Sequence, residues 1–458
     1  MELPKTTIVI GAARSGIAVA KFLSRNNARC FLFDSSPLEK LDNNGALAAQ
    51  AAELPGVSAF FGRNPTAEEV SQSSLVVLSP SVPPQVPAAQ AAREMGIKVV
   101  SETEFALGYF YGRISAVTGT NGKTTTTSLL AKILSDAGFD SFPAGNIGDP
   151  LANYAGEGSE GQIAALEISS FQLEMAELMK PTSAIITNIT PDHLDRHKTM
   201  ENYIEAKANV FMNMSGDDVL ILNYDDPITR SFASKAKCKT LFFSTQTEEG
   251  VDAYLSGKEI IIKTENGPKV IANLGEMKIV GAHNAANAAA AALAALHEGA
   301  PFDSVAETIK NFNPVEHRIE FVSEVSGVKY YNDSKGTNPD ATMVALAAMD
   351  RPTVLILGGY DKDSEFDSLF ALDYFKSGIV IAIVALGATK EKILDAAKKA
   401  GYENIHEADT FEETVHMASN LASEGHNVLL SPACASWGMF ENYEQRGMRF
   451  KELVMGLH

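Results

Sequence analysis

Apolar residues recur along this chain in two rhythms, and their alternation sets out a layered α/β protein. Residues 7–10 form an apolar run that predicts a strand, 11–16 a small-residue turn, and 17–23 the start of a helix. A second strand over 29–33 ends at Asp34, and further short strands end in Ser-Pro-Ser-Val-Pro-Pro (79–84) and at Val100. Near Arg113 the pattern restarts. A strand over 114–117 runs into Gly-Thr-Asn-Gly-Lys-Thr, and a helix over about 124–137 carries Leu129, Leu130, Ile133, Leu134 and Ala137 on one face, with Gly138 as its stop. Strands at 163–166 and 184–189 each end in polar residues, and a helix follows over about 200–214. A β-rich patch covers 241–279, with Glu265-Asn266-Gly267 as a hairpin signal, and an Ala-rich helix spans 284–297. After Phe312 comes a hinge, Asn-Pro-Val-Glu-His-Arg with Pro314, then strands at 329–331, 354–357, 380–386 and 427–430 with helices between. Three domains are expected: 1–112, 113–313 and 314–458.

Composition narrows the chemistry. The 458 residues are 45% hydrophobic and 21% charged, ordinary for a globular chain, and the formal net charge is −19. So acidic a chain is a poor general binder of nucleic acid or anionic membrane, and anionic substrates would need specific Lys, Arg and N–H groups. Cys30, Cys238 and Cys434 are widely spaced, which points to a reducing compartment. The first apolar run is too brief for a signal peptide, and no apolar stretch is long enough to span a membrane. A cytoplasmic protein is expected.

The strongest local signal is Gly119-Thr120-Asn121-Gly122-Lys123-Thr124, delivered by a strand and continued by a helix. Its N–H groups and the helix N-terminus can cradle phosphate oxygens. Lys123 can reach terminal phosphates, and the Thr124 hydroxyl can ligate Mg²⁺. Val117 stands where the fuller pattern has another glycine, so this is a shortened phosphate loop. The N-terminal Gly-Ala-Ala-Arg-Ser-Gly (11–16) is a dinucleotide fingerprint without its middle glycine, with Asp34 where a ribose hydroxyl is usually read. It is either a tight turn or a seat for a diphosphate with one nucleoside. Glu167 and His193 follow strands in the same domain as the phosphate loop, where a carboxylate and an imidazole can hold Mg²⁺; singly, each reads equally well as a solvated loop residue.

Lys207 shares a helical stripe with Tyr203, Ile204, Val210 and Phe211. It either snorkels at the stripe's edge or is a desolvated amine of lowered pKa. In the last domain, three strands end in polar turns: Asn332–Asn338, Gly358–Lys362 and Ser431–Trp437. They mark one small-molecule site or three ordinary loops.

Taken together, GTNGKTT, LEISSFQLE, NITPDHLDRH, YIEAK, GAHNAAN, HR and NDSKGTNP occur in the order shown by the ATP-dependent muramyl-peptide ligases, and the chain resembles that family over essentially its whole length. SPACASW and NYEQRG (442–447) resemble the branch that adds D-glutamate. The resemblance implies an N-terminal Rossmann-like domain, a central P-loop ATPase-type domain and a C-terminal Rossmann-like domain. It implies ATP and Mg²⁺, two ions, as cofactors. The implied substrates are UDP-N-acetylmuramoyl-L-alanine and D-glutamate, in peptidoglycan precursor synthesis, by a monomer without nucleic-acid or membrane partners. Ser15, Gly16, Asp34 and Ser35 would hold the UDP moiety, and Asn146 and His193 would contact the muramoyl substrate. Gly119, Thr120, Asn121, Gly122, Lys123, Thr124 and Thr125 would bind ATP phosphates, with Asn284, Asn287, Arg318 and Asp333 on the nucleotide. Thr124, Glu167, His193 and Lys207, the last as a carbamate, would be metal ligands. Lys335, Thr337, Lys362, Ser436 and Tyr443 would surround D-glutamate. Arg14, Ser81 and Gly438 depart from the family's usual residues.

Three rival readings remain: a sister ligase for another amino acid, a dinucleotide-dependent oxidoreductase, and a non-catalytic nucleotide-binding module. The missing middle glycine and the separate phosphate loop speak against the second. The third does not account for Glu167, His193 and Lys207 as a set.

Overall fold

A computed structural model describes residues 3–41, 45–156, 158–279, 281–313, 315–361 and 364–457. Lys362 and Pro314 lie outside the described residues. The chain divides into two compact units, one of Met1–Met277 with Asn284–Phe312, the other of Lys278–His283 with Asn313–His458.

The first unit holds two sheets. Five parallel strands, counted along the chain, lie in the order 3-2-1-4-5. The order of strands reverses between the first strand, Thr6–Ile10, and the fourth, Leu75–Leu78, which opens a crevice at their carboxyl ends. Gly11 sits there at φ 101°, and the Ser79 hydroxyl donates to its carbonyl at 2.9 Å, tying the two strand ends together. The second sheet has nine strands, again counted along the chain, in the order 9-8-7-6-5-4-1-3-2. Its central strand, Arg113–Thr118, runs parallel between Gln162–Glu167 and Ser183–Ile186. All three are apolar runs buried on both faces, as parallel strands covered by helices must be.

Two predicted elements are shorter than expected. The strand predicted over 184–189 ends at Ile186, because Thr187 and Asn188 leave the ladder to hold the phosphate loop. The helix predicted over 200–214 ends at Ala208. Asn209 and Asn213 turn their side-chain amides onto the carbonyls of Leu173, Glu177 and Met179. The hairpin signal at 265–267 is realised, with Thr264 paired to Gly267.

The second unit is one six-stranded sheet in the order 1-2-6-3-4-5. Val328–Asn332, Asn427–Leu430 and Thr353–Gly358 are parallel neighbours, with Asn332, Leu430 and Ile356 level in register. The three polar loops that follow these strands therefore emerge side by side.

Candidate active site

In the first unit, sheet register assembles the site. Val117 pairs with Glu167 on one side and with Ile185 on the other, so the phosphate loop leaves the central strand between two flanking strand ends. Gly119 adopts φ 139°, and a Cβ there would collide with Thr187 Oγ1. The loop is held from one side: Thr120 N–H donates to the Asn188 carbonyl at 2.8 Å, and Asn121 N–H to Asn188 Oδ1 at 2.9 Å. Gly122, at φ 85°, begins the helix Lys123–Asp136 without a side-chain cap, and the positive end of that helix faces the loop. A Cβ at Gly122 would strike Asn287 Oδ1, and Asn287 in turn donates to Asn284 Oδ1 at 3.1 Å. Both asparagines stand on the helix Ala282–His297, which places that pair against the loop.

Two lysines converge on one carbonyl. Lys123 Nζ donates to the Gly119 oxygen at 3.0 Å and to Thr120 at 2.7 Å. Lys207 Nζ donates to the same Gly119 oxygen at 2.8 Å. Lys207 is 2% exposed, and burial drives its amine well below the ordinary lysine range. The charge of Lys123 pushes the same way, while Asp192 and Glu167 oppose it. Of the two alternatives for Lys207, the structure selects the desolvated amine. Tyr203 lies beneath it, ring centroid 4.8 Å from Nζ, and its hydroxyl meets Thr120 Oγ1 at 3.0 Å.

Glu167 is buried at the end of its strand. Oε1 accepts from Asn146 Nδ2 at 2.8 Å, whereas Oε2 is buried with no hydrogen-bond partner. A solitary buried carboxylate oxygen is costly unless something binds it, which fits a cation ligand. His193 has φ 54° and begins the short helix Leu194–His197. Its Nε2 is 3.6 Å from Asp192 Oδ2, and its ring meets Phe171 edge-on at 4.7 Å.

The crevice of the five-stranded sheet is simpler. Asp34 spends both oxygens on main-chain N–H groups, those of Ala12 and Ser36, each at 2.8 Å. These bonds shape the turn and leave a lone pair on each oxygen for a further donor. The helix Arg14–Arg25 starts there uncapped, Ser15 is half-buried and Ser35 exposed. A Cβ on Gly16 would collide with the Gly11 carbonyl, so the close turn needs glycine. Arg14 and Ser81 are both exposed.

In the second unit, Asp333 is buried and accepts from Ser431 Oγ at 2.7 Å and from Ile319 N–H at 3.3 Å. Burial raises its carboxyl to about 6, against the pull of Arg318. Lys335 Nζ lies 5.1 Å from the Tyr443 ring centroid. Ser436 is buried, Thr337 half-buried, and Arg318 Nε is buried without a hydrogen-bond partner. Gly438 has φ 88° with open space around it.

Three family models match: the Mur ligase MurD-like N-terminal domain over 5–101, the Mur ligase middle domain over 117–295, and the Mur ligase glutamate ligase domain over 317–434. A UDP-N-acetylmuramoylalanine–D-glutamate ligase of Thermoanaerobacter pseudethanolicus is 44% identical over 100% of both chains. One of Lachnoclostridium phytofermentans is 40% identical over 99% of both. The chain belongs to the Mur ligase family. A crystal structure of the MurF ligase from Thermotoga maritima in complex with ADP shares the fold at TM-score 0.62 and 16% identity, over 99% of each chain. The three matched domains of this Mur ligase follow its three sheets.

In the first unit Glu167 stands at the strand end beside the phosphate loop, and Lys207 and Asn287, with Asn284 beside it, meet that loop from helices. In the second, Lys335 and Ser436 lie on loops after neighbouring strands, with Tyr443 on a helix against Lys335. Sequence reasoning passed over a layer behind them. His197 is buried with Nε2 2.9 Å from Ser170 Oγ and Nδ1 3.3 Å from Glu174 Oε1. Arg196 joins Glu174 at 2.8 Å, lies 4.0 Å above the Phe171 ring, and donates to the Pro80 carbonyl at 2.9 Å. The signal was available in the charged ends of NITPDHLDRH, yet the partners are distant in sequence.

Proposed function

We propose that this Mur ligase is an ATP-dependent amide-forming enzyme that joins D-glutamate to UDP-N-acetylmuramoyl-L-alanine. What carries the reaction class is the convergence of two lysine amines on the Gly119 carbonyl, beside a buried carboxylate with an oxygen to spare. The substrates follow from the full-length likeness to relatives that bear that name.

The chemistry needs an activated acyl group. A carboxylate oxygen of the alanyl end attacks the γ-phosphorus, the β–γ bridging bond breaks, and ADP leaves. The neutral D-glutamate amine attacks the acyl phosphate carbon, the carbon–oxygen bond to phosphate breaks, and inorganic phosphate departs with the proton that the nitrogen loses. The loop Gly119–Thr125 would cradle the phosphates, and Lys123 would move from its carbonyl partners onto the transferring group. Thr124, Glu167, His193 and the carbamate of Lys207 would hold two Mg²⁺, which when bound supply charge neutralisation among the anions. The neutral amine is the form that reacts with CO₂, and burial pushes Lys207 toward that form, which favours carbamylation there. Asn284, Asn287, Arg318 and Asp333 would take the nucleotide. Ser15, Gly16, Asp34 and Ser35 would take UDP, and Asn146 and His193 the muramoyl end. Lys335, Thr337, Lys362, Ser436 and Tyr443 would take D-glutamate. We assign domains to 1–112, 113–313 and 314–458, and read the enzyme as a cytoplasmic monomer; among the described residues no helix is long and apolar enough to cross a membrane.

Phosphate release from ATP and Mg²⁺ with UDP-N-acetylmuramoyl-L-alanine tests this, using D-glutamate, L-glutamate, L-lysine and meso-diaminopimelate in turn. Release that requires D-glutamate supports the reading. Release with another of these amino acids moves the enzyme to a sister activity.

A further inference from the structure

The largest fully buried side chain among the described residues is an arginine. Arg446 lies on the helix Tyr443–Met455, one turn beyond Tyr443, and is 1% exposed. Nε donates to Ser334 Oγ at 3.0 Å. Nη2 donates to the carbonyls of Ser334 at 2.7 Å and Cys434 at 3.0 Å. Nη1 is buried without a partner, and a Cβ on Gly359 would lie 3.3 Å from it. The Ser334 hydroxyl in turn donates to the Tyr443 carbonyl at 2.8 Å.

No carboxylate is hydrogen-bonded to this guanidinium among the described residues, and Asp333 acts on it only through space. Burial lowers it to about 10, so it is still a cation at neutral pH. A buried cation among neutral partners is costly, and such a group is retained where it organises something. What it organises is legible from its partners. Ser334 precedes Lys335, Cys434 lies two residues before Ser436, and Arg446 itself shares a helix with Tyr443. Gly359 belongs to the remaining polar loop, the one that follows Thr353–Gly358.

We propose that Arg446 is the positioning residue of the amino-acid site, clipping the loops that bear Lys335 and Ser436 to the helix that bears Tyr443 and supplying a fixed positive charge that favours a dicarboxylic amino acid. The proposal rests on the D-glutamate reading above. Lysine at this position would keep the charge but lose the planar fork, and glutamine would lose the charge.

The test is steady-state kinetics of the full chain, varying each substrate in turn, for Arg446→Lys, Arg446→Gln and Ser334→Ala. Ser334→Ala removes one acceptor of the clip with little change of volume, and it keeps the test open should the arginine variants fail to fold. The KM for D-glutamate is expected to rise by about tenfold or more in the arginine variants, the weight of one charge-assisted hydrogen bond. Glutamine should cost more than lysine, and Ser334→Ala should raise the same KM severalfold. The KM values for ATP and for the UDP-linked substrate should stay within about twofold of the parent. An unchanged KM for D-glutamate in folded Ser334→Ala, or a parallel rise of all three KM values, would overturn the proposal. Absence of D-glutamate-dependent turnover in the parent enzyme would instead overturn the functional reading beneath it.

Discussion

Glu102→Gln should make the first unit more stable, and only at neutral to alkaline pH. Glu102 opens the helix Glu102–Leu107 and is 1% exposed. Oε1 accepts from Ala152 N–H at 3.1 Å, and Thr103 Oγ1 donates to Oε2 at 3.3 Å. These bonds favour the anion, but burial outweighs them and raises the carboxyl from its ordinary 4.5 to about 7. A carboxyl with a folded pKa above its unfolded one binds its proton more tightly in the native state. Its stabilising effect is therefore complete below about pH 4.5, declines as pH rises, and is gone above about pH 7. The gap between those two values corresponds to about 3 kcal/mol. No discount for solvent screening applies to so buried a group. Glutamine keeps a carbonyl for Ala152 and offers an amide N–H toward Thr103, without ever ionising. Urea unfolding followed by far-UV circular dichroism, at pH 5 and at pH 8.5, measures the difference. The glutamine variant should gain little at pH 5 and about 3 kcal/mol at pH 8.5. A gain that does not change with pH would refute the reasoning, as would a loss that grows with pH.

Other perturbations reach the phosphate loop and its support. Lys123→Ala should abolish ADP formation with all substrates present, and near-parent turnover would remove the loop from the mechanism. Lys207→Ala should lose activity and regain part of it with formate or acetate, which stand in for a carbamate; a fully active variant would dismiss that role. Gly119→Ala forces a side chain into φ 139° and against Thr187 Oγ1, so kcat/KM for ATP should fall by about tenfold or more. Glu298→Ala removes the acceptor shared by Arg113 at 2.7 Å, Ser115 at 3.0 Å and Thr182 at 2.6 Å. It should cost about 3–5 kcal/mol in urea unfolding, because it strands a partly buried cation and buried hydroxyls.

What could be read in advance was whatever depends on neighbouring residues. The phosphate loop, its glycines and its lysine sit within six positions of one another, and the strand before them is a short apolar run. The strand Asp140–Gly145 escaped because Pro143 interrupts an edge strand of mixed polarity. Gly216–Asn223 escaped because its apolar core is brief and preceded by two aspartates. The contacts of Lys207 with Gly119 and of Arg446 with Ser334 span 88 and 112 positions. Helices packed beside the strand-end loops bring such residues together, and periodicity carries no trace of it. Asp34 shows the converse, since its place at a strand end was legible but its commitment to two main-chain N–H groups was not.

The central claim is an amide bond to D-glutamate formed through an acyl phosphate. One mass-spectrometric measurement addresses it, with both oxygens of the alanyl carboxylate labelled as ¹⁸O and unlabelled ATP and D-glutamate. The expected result is a product heavier by one glutamyl unit that keeps one label, with the other label in inorganic phosphate. Unlabelled phosphate, label in AMP, or no product that depends on D-glutamate would contradict the account.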